Sequence, residues 1–139
     1  MARSHALRGG RRERGLNRMR VELSKEYGFE AAHRLPHAPP GHKCQRMHGH
    51  SYRVEVTIAG EVDERAGWLR DFGDITAVVK PLLERELDHR TLNDVPGLEN
   101  PTAELLCAWL WKRLRPELPD LSAITVHETC AARCTYRGE

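Results

Sequence analysis

The segment 44–50 contains a thiol and two imidazoles, at Cys44, His48 and His50. From Gly49 onward the residues alternate as in a β-strand, so His48 and His50 are predicted to share one face of a sheet. Residues two apart on a strand lie about 6.5 to 7 Å apart. Both rings can therefore reach one metal ion about 2.0 to 2.1 Å from each nitrogen. This spacing predicts a metal site, with Cys44 beside it as a candidate base.

His33 is the candidate third ligand, because it ends another alternating run that could pair antiparallel with the first. Three histidine ligands with an open fourth position are typical of catalytic zinc. His37 and His42 lie in the intervening loop and could compete as ligands, although a loop position favours a solvent-facing or substrate-facing side chain. Two simpler interpretations stay open. A His-x-His pair on a strand is often only two exposed imidazoles, and a free cysteine often packs as a small apolar residue.

Two further groups could take part in proton transfer or binding. Asp88 and His89 are adjacent at the end of a predicted helix, where a carboxylate can orient and charge an imidazole, although such pairs also arise by chance on surfaces. Glu128 shares a predicted strand face with Ile124 and Val126. A carboxylate there is costly to bury unless it is paired, which predicts a ligand or a cation beside it. The alternative is that Glu128 turns to solvent at the strand end.

The elements that would position these groups follow the order β-β-α-α-β-β. Alternation predicts a strand over 20–33 with a possible bulge at Gly28, a proline-rich loop, and a second strand from His48 to a turn near Gly60. Two strands are expected at the carboxyl end, over 121–129 and around Thr135.

Two helices are predicted between these strand pairs. The first has Asp71 or Asp74 as its cap and contains Pro81, where a kink is expected. The second is expected to begin with Asn100 as cap and Pro101 at its first position.

The composition indicates one domain of ordinary size, since the chain has 139 residues and 30% of them are charged. Because we find no apolar run of membrane-spanning length and no secretory signal, we expect a soluble, cytoplasmic protein with four reduced cysteines. Arginines crowd residues 1–19 without apolar periodicity, so we expect a disordered basic arm there and a single domain over 20–139. A zinc-stabilised module whose arm binds RNA is an alternative, but the arm lacks stacking aromatic residues, and nucleic acid is therefore a disfavoured partner.

Several motifs together resemble the 6-pyruvoyltetrahydropterin synthase superfamily over about residues 20–139. They are Phe29-Glu30-Ala31-Ala32-His33, Cys44-x-x-x-His48-Gly49-His50, Leu87-Asp88-His89-x-x-Leu92-Asn93, Asn100-Pro101-Thr102-x-Glu104 and Glu128-Thr129. The three-residue gap after Cys44 and the ending 134–139 are most similar to the bacterial branch that makes 6-carboxytetrahydropterin in queuosine biosynthesis.

This resemblance implies an α+β tunnelling fold, with a four-stranded antiparallel sheet and two helices on one face. It implies that strands of several subunits close a barrel in a homohexamer built as a dimer of trimers. The implied substrate is 7,8-dihydroneopterin triphosphate, converted to 6-carboxytetrahydropterin, acetaldehyde and triphosphate. The sibling enzyme, which forms 6-pyruvoyltetrahydropterin without cutting the side chain, is the nearest alternative.

The resemblance also implies the functions of individual residues. The cofactor would be Zn²⁺, bound by His33, His48 and His50, with Cys44 as the proton acceptor. His89 with Asp88 would assist proton transfer. Glu128 would anchor the pterin, and Thr129 follows it in the same substrate-binding motif.

Overall fold

The computed structural model of the protein describes residues 19–139. The predicted basic arm therefore lies outside the described residues, except for Met19. The carbonyl oxygen of Met19 accepts a hydrogen bond from the backbone N–H of Val62 at 2.8 Å. Within 19–139, no helix has the length and apolar character needed to cross a membrane.

The sheet is built on one long antiparallel pair. Strand β1, Arg20–His33, pairs with β2, His48–Glu61, along its full length. The predicted bulge at Gly28 is wrong, because Gly28 lies opposite Arg53 in an uninterrupted register. The register shift falls on the other edge of β2, between Thr57 and Ile58.

Three shorter strands complete the sheet. Strand β3, Arg90–Thr91, pairs parallel with β1, while β4, Leu121–His127, pairs antiparallel with β2 and carries β5, Arg133–Tyr136. The strand order is β3-β1-β2-β4-β5. The α+β class with two helices is thus confirmed, but the sheet has five strands and is mixed. A strand of two residues is too short to produce the alternation on which the prediction rested.

Two helices cover one face of the sheet. Helix α1, Phe72–Glu86, is capped by Asp71, whose carboxylate accepts a hydrogen bond from the Gly73 N–H at 2.9 Å. Helix α2, Ala103–Leu114, is capped by Thr102 through the Leu105 N–H at 3.2 Å.

The predicted start of α2 at Asn100 and Pro101 is therefore wrong. The Pro101 carbonyl lies outside the helix and accepts a hydrogen bond from the His33 ring at 2.9 Å. The segment before α2 thus orients the His33 ring at the end of β1.

The hydrophobic core lies between the helices and the inward-facing side chains of the sheet. Its fully buried members include the following residues from β2, β4, α1 and α2: Val54, Val56, Ile58, Ile124, Val126, Ile75, Val79, Leu106 and Leu110. The other sheet face carries mainly polar side chains, such as the hydroxyls of Ser24 and Thr57, which lie 2.7 Å apart. Apolar and polar residues thus alternate along the strands, as the sequence predicted.

Replacing Leu106 by alanine is expected to lower the free energy of unfolding by about 2 to 5 kcal/mol, because Leu106 is fully buried and alanine leaves a cavity. Its neighbour Leu105 is 46% exposed and provides a matched control. Leu105→Ala should change the free energy by less than about 0.5 kcal/mol. Urea denaturation followed by circular dichroism measures both values. Equal losses in the two variants would contradict this assignment of the core face.

Candidate metal centre and active site

Three imidazoles converge where β1 ends and β2 begins. His33 lies opposite His48 in the register, and Ala31 lies opposite His50. The centroids of the three rings are 4.6, 5.0 and 4.9 Å apart, and the Nε2 atoms of His33 and His48 are separated by 3.0 Å. The antiparallel pairing expected from the alternation brings the three predicted ligands together.

Hydrogen bonds to the backbone orient two of these rings. His33 Nδ1 donates to the Pro101 carbonyl at 2.9 Å, and His48 Nδ1 donates to the Arg46 carbonyl at 2.7 Å. Donation from Nδ1 leaves Nε2 as the nitrogen with a free lone pair, which is the form that binds a metal. Tyr52 stands two residues after His50 on the same strand face, and its hydroxyl lies 3.1 Å from His33 Nδ1. This contact was not predicted from the sequence, although the spacing of Tyr52 from His50 places the two on one face.

Glu128 adds a fourth donor to this group. It lies one residue beyond the end of β4, and its Oε1 is 3.3 Å from His50 Nε2 and 3.9 Å from His33 Nε2. One ligand atom from each of the four residues falls within 4.8 Å of the others. The sequence predicted three histidine ligands for the ion and, separately, a ligand or a cation beside Glu128; the structure places this carboxylate oxygen next to the histidines.

The donor set fits a metal ion on two grounds. Metal bonds of about 2.0 to 2.1 Å in a tetrahedral site separate the ligand atoms by about 3.3 to 3.4 Å, which matches the spacing of His50 and Glu128. In addition, His50 Nε2 is buried and finds no hydrogen-bond partner among the described residues. Such an atom is costly to leave unpaired, and a bound cation would satisfy it.

Burial also keeps these imidazoles in the form that binds a metal. It lowers the pKa of His33 and of His50, against the opposing effect of the Glu128 charge. A neutral imidazole offers its lone pair without first losing a proton, so metal binding competes with fewer protons at neutral pH.

Cys44 lies in the loop that joins β1 to β2, within the short 3-10 helix Lys43–Gln45. Its N–H donates to His42 Nδ1 at 3.1 Å, and its carbonyl accepts from the Leu35 N–H at 2.7 Å. The thiol is free and partly exposed. The bond to Leu35 holds the loop against the end of β1, and His42 accepts the other bond within the loop. His37 is exposed. Neither of these two imidazoles belongs to the four-residue group.

Asp88 and His89 form a hydrogen-bonded pair at the other edge of β1. His89 Nδ1 lies 3.0 Å from Asp88 Oδ2, while Asp88 Oδ1 accepts from the Glu30 N–H at 2.9 Å. The Glu30 N–H and the His89 ring both lower the pKa of Asp88. The His89 backbone adopts φ 59°, and its N–H donates to the Glu30 carbonyl at 2.6 Å. Together these bonds fix an ionised carboxylate against the exposed imidazole.

His89 lines a cleft of about 450 Å³ together with Glu30, His50 and Ser51. Glu30 and Ser51 are partners in the register and project from the sheet face opposite to that of His33, His48 and His50. Within one chain, the structure brings the imidazole group together with Glu128, and His50 of that group also lines the cleft of His89.

Thr129 shapes the turn between β4 and β5, because its hydroxyl accepts from the N–H groups of Ala131 and Ala132 at 3.3 and 3.1 Å. It lines a second cleft, of about 390 Å³, together with Glu128 and Glu104. This cleft adjoins the metal-binding group and offers space for a small molecule beside it.

Known proteins resemble this chain in sequence and structure. A family model described as 6-pyruvoyl tetrahydropterin synthase matches residues 22–139. A 6-carboxy-5,6,7,8-tetrahydropterin synthase of Synechocystis is 41% identical over 119 residues, which cover 82% of this chain and 91% of that protein. The human 6-pyruvoyl tetrahydrobiopterin synthase is 30% identical over 142 residues, which cover 91% and 98%. The structure of a Caenorhabditis elegans 6-pyruvoyl tetrahydropterin synthase superposes with a TM-score of 0.79 at 27% identity, covering 87% and 97%.

Proposed function

The chain belongs to the 6-pyruvoyl tetrahydropterin synthase family, and from that premise we propose that it is a zinc-dependent 6-carboxy-5,6,7,8-tetrahydropterin synthase. It would convert 7,8-dihydroneopterin triphosphate and one water to 6-carboxytetrahydropterin, acetaldehyde and triphosphate, in the cytoplasm and as a step of queuosine biosynthesis. The observation that carries the proposal is the convergence of His33, His48 and His50 beside a cleft lined by Glu128. The resemblance stated from the sequence motifs is confirmed at the level of the family.

The choice of the carboxy product rests on two points. The Synechocystis relative that carries this name is 41% identical, whereas the human relative named for the pyruvoyl product is 30% identical. The three-residue gap between Cys44 and His48 also favours the carboxy-forming branch. The pyruvoyl product remains the second candidate, because the human relative covers more of the chain.

The proposed mechanism divides proton transfer between the Cys44 thiol and the Asp88 and His89 pair. Zn²⁺ held by His33, His48 and His50 would stabilise the negative charge that develops on side-chain oxygens of the substrate when a carbon proton is removed. Cys44 would accept that proton at Sγ. The Asp88 carboxylate keeps the Nδ1 proton of His89 in place, so that Nε2 is the atom that exchanges a proton with the substrate.

Assembly into a homohexamer of two trimers is part of the proposal. The sheet ends at β3 and β5, short strands whose outer edges are unpaired within the described chain, and such edges are commonly covered by other strands. The His89 side chain is 78% exposed, so a neighbouring subunit can contact it. A neighbouring subunit would add its own groups to the cleft that His50 and His89 line.

Mass spectrometry of the products formed from 7,8-dihydroneopterin triphosphate tests the reaction. The proposed activity gives equal amounts of 6-carboxytetrahydropterin and acetaldehyde. A product that retains the three-carbon side chain as a pyruvoyl group would instead assign the chain to the sibling reaction.

Replacing His48 or His50 by alanine is expected to reduce the zinc bound per chain by one equivalent, because each loss removes one of the three converging imidazoles. Elemental analysis after dialysis against a chelator measures this. His37→Ala is the matched control, since His37 is an exposed imidazole in the adjoining loop. Full retention of zinc by either variant would rule out the proposed ligand set.

Glu128→Gln is expected to weaken substrate binding by about 2 to 4 kcal/mol, or about 30- to 700-fold, while zinc stays bound. A carboxylate can accept two hydrogen bonds from the amino group and ring N–H of a pterin, and glutamine replaces one acceptor by a donor. Equilibrium binding of a pterin and zinc analysis together measure the two effects.

Glu104→Gln, in the same cleft, controls for the general loss of negative charge. Glu128 Oε1 lies 3.3 Å from His50 Nε2, so the same two measurements also test whether Glu128 is a zinc ligand. Loss of zinc with unchanged pterin affinity would make Glu128 the fourth ligand instead of the pterin anchor.

A further inference from the structure

A second group of metal-ligating side chains lies on the polar face of the sheet, opposite to the imidazole cluster. His127 is the last residue of β4 and projects away from the core, in the opposite direction to Val126 and Glu128. Glu26 on β1 and Glu55 on β2 are direct partners in the register, and they project from the same polar face. Three neighbouring strands thus each contribute one ligating side chain to one place.

His127 is only 6% exposed, although it lies on the polar face. Its Nε2 lies 3.6 Å from Glu55 Oε2 and 3.9 Å from Glu26 Oε1. Both distances exceed the length of a hydrogen bond. Within residues 19–139, this buried nitrogen has no hydrogen-bond partner. An unpaired buried nitrogen aimed at two carboxylates indicates a missing group between them.

The separations suit a metal ion. The three donor atoms lie within 4.8 Å of one another, and tetrahedral bonds of about 2.0 to 2.2 Å require a spacing of about 3.3 to 3.6 Å. One imidazole and two carboxylates form a nitrogen and oxygen donor set that binds Zn²⁺ and similar divalent ions. Small rotations of the two partly exposed glutamate side chains would close the remaining difference.

The local charges also favour a cation. Like charges directly opposite each other on paired strands are destabilising, and Glu26 faces Glu55 in this way. Arg53 Nη1 lies 3.6 Å from Glu26 Oε2 and offsets part of this repulsion. This contact uses Oε2, so Glu26 Oε1 stays available on the side of His127.

We propose that Glu26, Glu55 and His127 bind one divalent transition-metal ion per chain, at a site separate from that of His33, His48 and His50. The site does not depend on the pterin chemistry proposed above. By fixing His127, a bound ion would hold the end of β4, from which Glu128 emerges on the other side of the sheet. The competing explanation is a protonated His127 in simple ion pairs with the two glutamates.

Titration of the chelator-treated full-length protein with Zn²⁺, followed by elemental analysis, tests this site. Glu55→Gln and Glu26→Gln should each bind one equivalent of zinc per chain fewer than the wild type. Combining Glu55→Gln with His48→Ala should remove two equivalents. Glu22→Gln is the matched control, because Glu22 is an exposed carboxylate on the same strand and face as Glu26 but outside the group.

Co²⁺ bound to the His48→Ala protein gives an independent readout. The visible absorption of tetrahedral Co²⁺ should persist in this variant and disappear when Glu55→Gln is added. These variants keep the buried His127 ring, so they test the site without creating a cavity. If Glu55→Gln binds as much zinc as the wild type, or if His48→Ala binds no Co²⁺, the group is an ion pair only and the proposal is overturned.

Discussion

Cys44→Ala is expected to lower turnover of 7,8-dihydroneopterin triphosphate by about 10² to 10⁴-fold, the usual effect of losing a general base. The substitution removes the Sγ atom, but the backbone bonds of Cys44 to Leu35 and His42 do not need the side chain. The loop should therefore keep its shape. Zinc content and pterin affinity should stay at the wild-type values, and only the rate of product formation should fall.

Cys130→Ala is the matched control, because Cys130 is a free, exposed cysteine in the turn after β4. It should retain the wild-type rate. Near-normal turnover by Cys44→Ala would refute the thiol mechanism and leave Cys44 as a packing residue.

His89→Ala is expected to lower turnover by a similar factor of about 10² to 10⁴, because it removes the imidazole that Asp88 orients. Alanine has a Cβ atom as histidine does, so the energetic cost of the left-handed backbone conformation at residue 89 changes little. Asp88→Asn tests the partner separately, since the amide cannot hold the imidazole by charge. The rate of product formation and the bound zinc should be measured for both variants. An effect on zinc content without an effect on rate would contradict the assignment.

Mixing the two inactive variants tests whether the site is shared between subunits. If one subunit supplies Cys44 and its neighbour supplies His89, hybrids of Cys44→Ala and His89→Ala chains contain some sites with both groups intact. Dissociation and reassembly of the mixture should then restore part of the activity. Equal inactivity of the mixture and the separate variants would place both groups in sites formed by one chain.

The central strand pair could be predicted because its signal is periodic and long. Alternation over 20–33 and from His48 onward defined which side chains share a face, and a slip of one residue in the pairing would have placed His33 on the opposite face from His48 and His50. The observed pairing of His33 with His48 satisfies that constraint. Alternation made the three imidazoles candidates for one site, and the family resemblance was needed to imply the complete ligand set.

Other features depend on contacts between distant parts of the chain, which local patterns do not contain. The start of α2 was misplaced because Asn100 and Pro101 fit the usual signals, while the structure uses the Pro101 carbonyl to hold His33 and caps the helix with Thr102. Strand β3 exists only through its pairing with Ala31 and Ala32.

The two carboxylate contacts also depend on long-range pairing. The approach of Glu128 to His50 requires β4 to lie beside β2. The same pairing places His127 near Glu55, on the other face. A sequence shows that each residue can ligate a metal, but the sheet order decides which of them meet.

The backbone of His89 has a consequence for engineering. Its φ of 59° lies in the left-handed region, which costs a residue other than glycine about 1 to 2 kcal/mol, while glycine adopts it freely. Directed evolution that selects only for heat resistance would therefore be drawn toward glycine at position 89. The selected proteins would melt at a higher temperature but would lack the imidazole of His89.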